Sequence, residues 1–175
     1  MPVARAASAD PVQSLLVATD FSDTAAVAVA FASELALAHG AKLILAHVMS
    51  VPPSAMGVPG PIVLPPDFSG RLRDVTRSKL DALAAPLRSR GLEVEIGLAA
   101  GMPGLSLTEL AAEKRVDAIV LGTRGLSGFK HLLLGSTAEQ VVRHAACPVL
   151  TLHPSDRGAP GALRTLVIPS ELSQV

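Results

Sequence analysis

Tryptophan and tyrosine are absent from this chain of 175 residues, and its only aromatic side chains are Phe21, Phe31, Phe68 and Phe129. Binding along a nucleic-acid strand draws on aromatic platforms for the bases, and few are present. Neither sign of charge is in excess, since 15 Lys and Arg balance 15 Asp and Glu. With no basic field to release counterions from a polyanion, nucleic acid is not expected as a partner. The lone cysteine, Cys147, excludes an intramolecular disulfide and fits a reducing compartment. His39, His131, His144 and His153 show no paired metal-ligand spacing, so no metal site built from protein ligands is expected. Long apolar runs are missing too. Met1 to Gln13 carries Arg5 but no apolar core of the kind a secretory signal needs. The Ala- and Val-rich stretch after it is interrupted by Asp20, Asp23 and Glu34, which speaks against a membrane span. A soluble, cytoplasmic domain is expected.

What is present is a regular alternation of short apolar runs with helical patterns, the signature of βαβ units and a parallel sheet. Leu15 to Ala18 reads as the first strand. Ser22 is placed to cap a helix running to about His39, with Val27, Phe31, Leu35 and Ala38 on one face and Gly40 as its stop. Lys42 to Val48 is the second strand. A helix from about Asp67 to Arg90 sets Leu72, Val75, Leu83 and Leu87 at helical spacing, and Pro86 is expected to kink it or end it early. Glu93 to Leu98 alternates polar and apolar residues as an edge strand does. Pro103 suits the first turn of a helix reaching about Lys114. Asp117 to Leu121 and Pro148 to Leu152 are the last two strands, with a helix from Ser136 to Ala145 between them.

The segment joining those last elements carries the strongest functional signal. Gly122-Thr123-Arg124-Gly125 follows a buried strand, and after nine further residues comes Gly135-Ser136-Thr137 at the start of a helix. Glycines allow φ > 0 and close approach of the main chain, so N–H groups can converge on an anion. A phosphate there would sit at a helix N-terminus, where unpaired N–H groups and the helix dipole favour negative charge. The Ser136 and Thr137 hydroxyls add donors. No lysine directly follows Gly135, which excludes a P-loop of the GK[S/T] type.

Two segments break the rhythm. Ser50 to Pro66 holds six prolines and two glycines, too long and too proline-rich for an ordinary βα connection. It reads as a surface loop, either a variable insertion or a lid over a ligand site. In the tail, Leu166 to Ser173 matches Leu15 to Ser22 in character position by position. Either this is the first strand of a second, truncated copy of the domain, reached by a linker at Ser155 to Ala162, or it is the chance likeness of a short apolar strand.

From about Pro11 to Pro154 the chain resembles the universal stress protein family, specifically its ATP-binding branch. The pattern G-x2-G-x9-G-[S/T] falls on Gly122, Gly125, Gly135 and Ser136. Val17-Ala18-Thr19-Asp20-Phe21-Ser22 resembles that family's first strand and turn, and Ala46-His47-Val48 the end of its second strand. Gly101-Met102-Pro103 is similar to its turn into the third helix, and Cys147-Pro148-Val149-Leu150 to its final strand. The domain organisation implied is one nucleotide-binding domain over 11–154, with 155–175 as linker plus an orphan first-strand-like segment. The fold implied is α/β, a doubly wound, Rossmann-like five-stranded parallel sheet of order 3-2-1-4-5 with helices on both faces. Ligands of such sheets lie beyond the carboxyl ends of the strands where the strand order reverses.

By this resemblance Asp20 accepts hydrogen bonds from the ribose, and the main chain around Val48 reads the adenine edge. Ala18 and Thr19 line the base pocket, with Ala18 departing from the proline frequent in the family. Leu121, Gly122, Arg124 and Gly125 wrap the phosphates from one side and Gly135, Ser136 and Thr137 from the other. The cofactor implied is ATP, with Mg2+ held by its phosphates and water. Taken as residues, Asp20 is a ligand contact before it is simply a turn residue ahead of a helix, Arg124 is a phosphate contact or a solvated charge, and His47 is a hydrogen-bonded core residue before it is a ligand. No nucleophile–base pair or water-orienting base is visible. The expected role is regulatory, with at most slow ATP hydrolysis, in a homodimer paired through Val149 to Leu152 and acting on an unknown protein partner. A nucleotide-free interaction module with a vestigial pocket is the alternative, followed by an adenylyl-transferring relative.

Overall fold

The computed structural model describes residues 12–50, 68–123 and 135–153, together with a short strand at 166–167. Its parallel strands are β1 (Ser14–Ala18), β2 (Lys42–Met49), β3 (Val94–Ala100), β4 (Ala118–Gly122) and β5 (Val149–Leu152). They lie in the order 3-2-1-4-5, each paired in parallel with its neighbour. This is the doubly wound sheet expected, with β3 at one edge. A sixth strand, β6 (Leu166–Val167), adds to the other edge and runs antiparallel to β5, pairing with Val149 and Leu150. The tail segment that matches β1 in sequence therefore finds a partner, but at the edge of the sheet.

Alternation along the strands divides the core into two layers. Leu15, Val17, Leu43, Leu45, Val120 and Leu152 face one way, under helices α1 (Asp23–His39) and α2 (Phe68–Ser89). Leu16, Ile44, Ile119, Leu121 and Val149 face the other, under α3 (Pro103–Lys114) and α4 (Ser136–His144). Strands buried on both faces read as continuous apolar runs, which is why β1, β2 and β4 were visible in the sequence. At the far end of the sheet from the strand tips, Asp117 Oδ2 accepts the N–H groups of Gln13 and Ser14, both at 2.8 Å, and so ties the start of β1 to the start of β4.

The helices correct three expectations. On α1 the buried stripe is Ala25, Ala28, Val29, Ala32 and Ala36, while Phe31 and Leu35 flank it half-buried and Ala38 is exposed. Small side chains let the helix axis lie close to the sheet, so larger residues fall to its sides. On α2 the buried stripe is Thr76, Leu80 and Ala84, and Leu72, Val75 and Leu83 are exposed. Pro86 does not end α2, which runs on to Ser89. It falls in the last turn, where only one intrahelical donor is lost, and that turn is held from outside. Arg88 donates to the Val94 carbonyl of β3, and the Leu87 carbonyl accepts from Arg90 and Leu92. The expected stops are present elsewhere: Ser22 Oγ accepts from the Ala25 N–H, and Gly40 closes α1 at φ 63°.

Candidate functional site

Beyond the carboxyl ends of β1, β2 and β4 lies a cleft of about 450 Å³. Its walls come from three places. The first is the turn after β1, which is cross-braced by its own side chains. Thr19 Oγ1 accepts the Phe21 N–H at 3.0 Å and Asp20 Oδ1 accepts the Ser22 N–H at 3.0 Å. Such side-chain turns hold the main chain in shapes that it would otherwise leave, and here they hold Phe21 at φ 64°, a left-handed position unusual for a bulky residue. Asp20 thus serves as a turn residue and lines the cleft as well.

The second wall is the end of β2. His47 Nδ1 lies 2.7 Å from the Thr19 carbonyl; a carbonyl only accepts, so the proton sits on Nδ1. The expectation of a hydrogen-bonded histidine holds, and the half-buried ring also lines the cleft beside Val48, Met49 and Ser50. Phe21 packs on it with ring centroids 4.8 Å apart, and the Lys79 ammonium lies 5.5 Å from the centre of the Phe21 ring. No alternation rule separates a strand residue under a helix from one at the strand tip, so the position of His47 was not legible in sequence.

The third wall joins β4 to α4. Gly122 and Gly135, thirteen positions apart in the chain, are drawn together by one hydrogen bond, from the Gly135 N–H to the Thr123 carbonyl at 2.7 Å. The glycines themselves correct the sequence reading. Gly122 is not left-handed, and Gly135 has φ −75°. What Gly122 supplies is the missing Cβ, which would stand 2.7 Å from Thr24 Cγ2 of α1. Gly135 occupies the N-cap of α4, so no side chain caps that helix and its first-turn N–H groups border the cleft with Ser136 and Thr137.

Ala18, Thr19, Asp20, Val48, Leu121, Gly122, Gly135, Ser136 and Thr137 therefore all line one cavity; Arg124 and Gly125 fall outside the described residues, as does the proline-rich loop. Reasoning from sequence missed Thr76 of α2, Pro103 and Leu107 of α3, and Thr123. Of these, Thr123 left a signal, as a polar residue prolonging a buried apolar strand. Cys147 is not part of the cleft, and burial, helped by the Asp117 charge, pushes its thiol up, away from the reactive thiolate. Among the described residues no group of three or more His, Cys, Asp or Glu side chains could hold a metal ion, and no helix is long and apolar enough to cross a membrane.

Residues 11–153 match the model of the universal stress protein family. The chain belongs to that family. It is similar to a Thermus aquaticus universal stress protein encoded in the 3′ region of a QAH/OAS sulfhydrylase, at 34% identity over 139 residues, 79% of this chain and 96% of the relative. Among solved structures it resembles MJ0577 of Methanocaldococcus jannaschii, with a TM-score of 0.70 at 25% identity over 82% of this chain and 97% of that one. It also resembles a universal stress protein solved in complex with cAMP, with a TM-score of 0.59 at 29% identity over 83% and 99% of the two chains.

Proposed function

We propose that this universal stress protein is a nucleotide sensor that binds ATP in the cleft beyond β1 and β4. The observation that carries the reading is the uncapped start of α4 facing the Asp20 turn across one cavity. Donors for an anion stand on one side, and an acceptor for hydroxyl groups on the other. The cavity's size falls in the range of about 300–1,000 Å³ usual for small-molecule sites, and the family's cAMP complex supports an adenine nucleotide as the class of ligand. Asp20 holds the ribose, Ala18, Thr19 and the main chain at Val48 hold the base, and Ser136, Thr137 and the amides of α4 hold phosphate. Gly122 and Leu121 close the floor, and Arg124 and Gly125 add contacts from the loop. Mg2+ is held by phosphate oxygens and water, consistent with a cleft whose described carboxylate is Asp20 alone.

Binding rather than turnover is the role these residues suit. Hydrolysis needs a group that orients water, and the two titratable side chains among the described cleft residues, Asp20 and His47, both brace the turn after β1. Occupancy acts as a signal, changing a surface that a protein partner reads. A homodimer paired through Val149 to Leu152 forms only when β6 leaves, because β6 already takes the β5 edge at Val149 and Leu150.

The test is a calorimetric titration of nucleotide-stripped protein with Mg-ATP, beside the Gly135→Val, Ser136→Val double variant. Saturable binding in the micromolar range that the variant loses is the expected result. No binding by the parent protein would overturn the reading in favour of a vestigial pocket. The absence of Trp and Tyr provides a quick check, since any adenine nucleotide that co-purifies will dominate the ultraviolet spectrum.

A further inference from the structure

Among the described residues one buried side-chain polar atom has no hydrogen-bond partner, and it is Thr123 Oγ1. Thr123 is only 8% exposed, and it lines the cleft. Its main chain is committed on both sides: its N–H donates to the Leu152 carbonyl at 2.8 Å, and its carbonyl accepts from Gly135. The residue is therefore fixed in place while its hydroxyl is left over. A buried hydroxyl without a partner is costly, and native proteins retain few of them.

Position indicates what the hydroxyl is for. Ile119 and Leu121 of β4 pack in the layer that contains Ala138 and Val141 of α4. Thr123, two residues beyond Leu121, continues that alternation toward the α4 side of the sheet. The uncapped first turn of the nine-residue α4 borders the same cavity. First-turn amides that only donate and an unpartnered hydroxyl that donates with free rotation thus border one cavity. Together they suit a ligand group that is all acceptor, with oxygens in several directions. Among the described residues, the base end of the cleft, formed by β1 and β2, offers no helix N-terminus and no unpartnered buried hydroxyl.

We propose that Thr123 is a further ligand-binding residue, whose Oγ–H donates to a phosphoryl oxygen alongside the first-turn amides of α4. This rests on the nucleotide reading of the cleft and assigns within it the residue that senses the phosphate end. The substitution that tests it is Thr123→Val, which keeps the shape and removes the hydroxyl, with Thr123→Ser as the conservative partner. ATP and adenosine are titrated into each protein, and the nucleotide-free melting temperature is recorded.

Thr123→Val is expected to weaken ATP roughly tenfold, the usual scale for a hydrogen bond to a charged group, and to leave adenosine binding unchanged. It should also raise the melting temperature of the nucleotide-free protein, because the orphan hydroxyl is gone. Thr123→Ser keeps ATP affinity. Equal ATP affinity in the parent and Thr123→Val overturns the assignment while leaving the nucleotide reading intact. Equal loss of ATP and adenosine overturns it too, since shape and not the hydroxyl would then matter. A parent protein that binds neither compound overturns the nucleotide reading and this assignment with it.

Discussion

Replacing Gly122 by alanine separates two reasons for a glycine at the end of β4. If the residue were needed for a left-handed main chain, the cost would lie in its own φ and no change elsewhere would relieve it. The structure gives the other reason, because a Cβ at this position would meet Thr24 Cγ2 at 2.7 Å and the Thr24 carbonyl carbon and oxygen at 3.3 Å. Thr24 is β-branched and stiff at χ1, and main-chain atoms stand directly behind its methyl group, so the strand tip or the start of α1 must shift. Overpacking of this kind costs about 1–3 kcal/mol. For a domain of this size each kcal/mol moves the melting temperature by about 2–4 °C. Gly122→Ala should therefore melt several degrees below the parent in a calorimetric scan. Thr24→Ala removes the nearest obstructing atom, so the double variant should recover part of the loss, with a coupling energy of about 1 kcal/mol. A Gly122→Ala protein within about 0.5 kcal/mol of the parent, the range of a neutral surface change, would refute the packing argument. So would a loss that Thr24→Ala leaves untouched.

Other consequences are simpler to state. Leu80 is fully buried between α2 and the sheet, so Leu80→Ala should lower the free energy of unfolding by about 2–5 kcal/mol in a urea titration. Ser22→Ala removes the α1 cap at Ala25 and should cost about 1 kcal/mol by the same assay. The Lys42 and Lys114 ammonium groups bonded to Glu95 hold its carboxyl below the usual carboxylate range. A carboxyl depressed on folding stabilises above its unfolded pKa and loses that contribution as pH falls through its folded value. Glu95→Gln should thus destabilise at pH 7 by about 1 kcal/mol or less, with the gap to the parent closing in acid. Deleting residues 154–175 uncovers the β5 edge that β6 pairs with, and light scattering should then show a larger dimer fraction than for the full chain; an unchanged fraction would count against pairing through β5.

The sheet was legible because its strands are buried on both faces and alternate with helices in the only rhythm that a parallel sheet allows. Asp20 and Gly122 could be placed at a cleft from strand order alone, since β1 and β4 are neighbours where the order reverses. What misled was side-chain size. Leu72, Val75 and Leu83 are large apolar residues on α2 yet are exposed, whereas Thr76 and Ala84 are buried beside Leu80. Spacing gives a face to a helix, but the distance between helix and sheet decides which stripe of that face is innermost. At Gly122 and Gly135 the expected φ > 0 is not found and room for a close approach is, because sequence cannot tell a glycine that bends from one that makes room. Thr123 and His47 were passed over for a related reason. Each continues a strand by pattern, and only the assembled fold places it at the cleft.

The contact between Gly122 and Thr24 also bears on how a bound ligand is felt. It brings the tip of β4 against Thr24 in the first turn of α1 with no side chain on the β4 side, while Asp117 ties the start of β4 to the start of β1. The strand under the cleft is thus held fore and aft, like a plank nailed at both ends. On the nucleotide reading proposed above, occupancy of such a seat would be reported through exposed side chains such as Leu72, which lines the cleft, and not by deformation of the sheet.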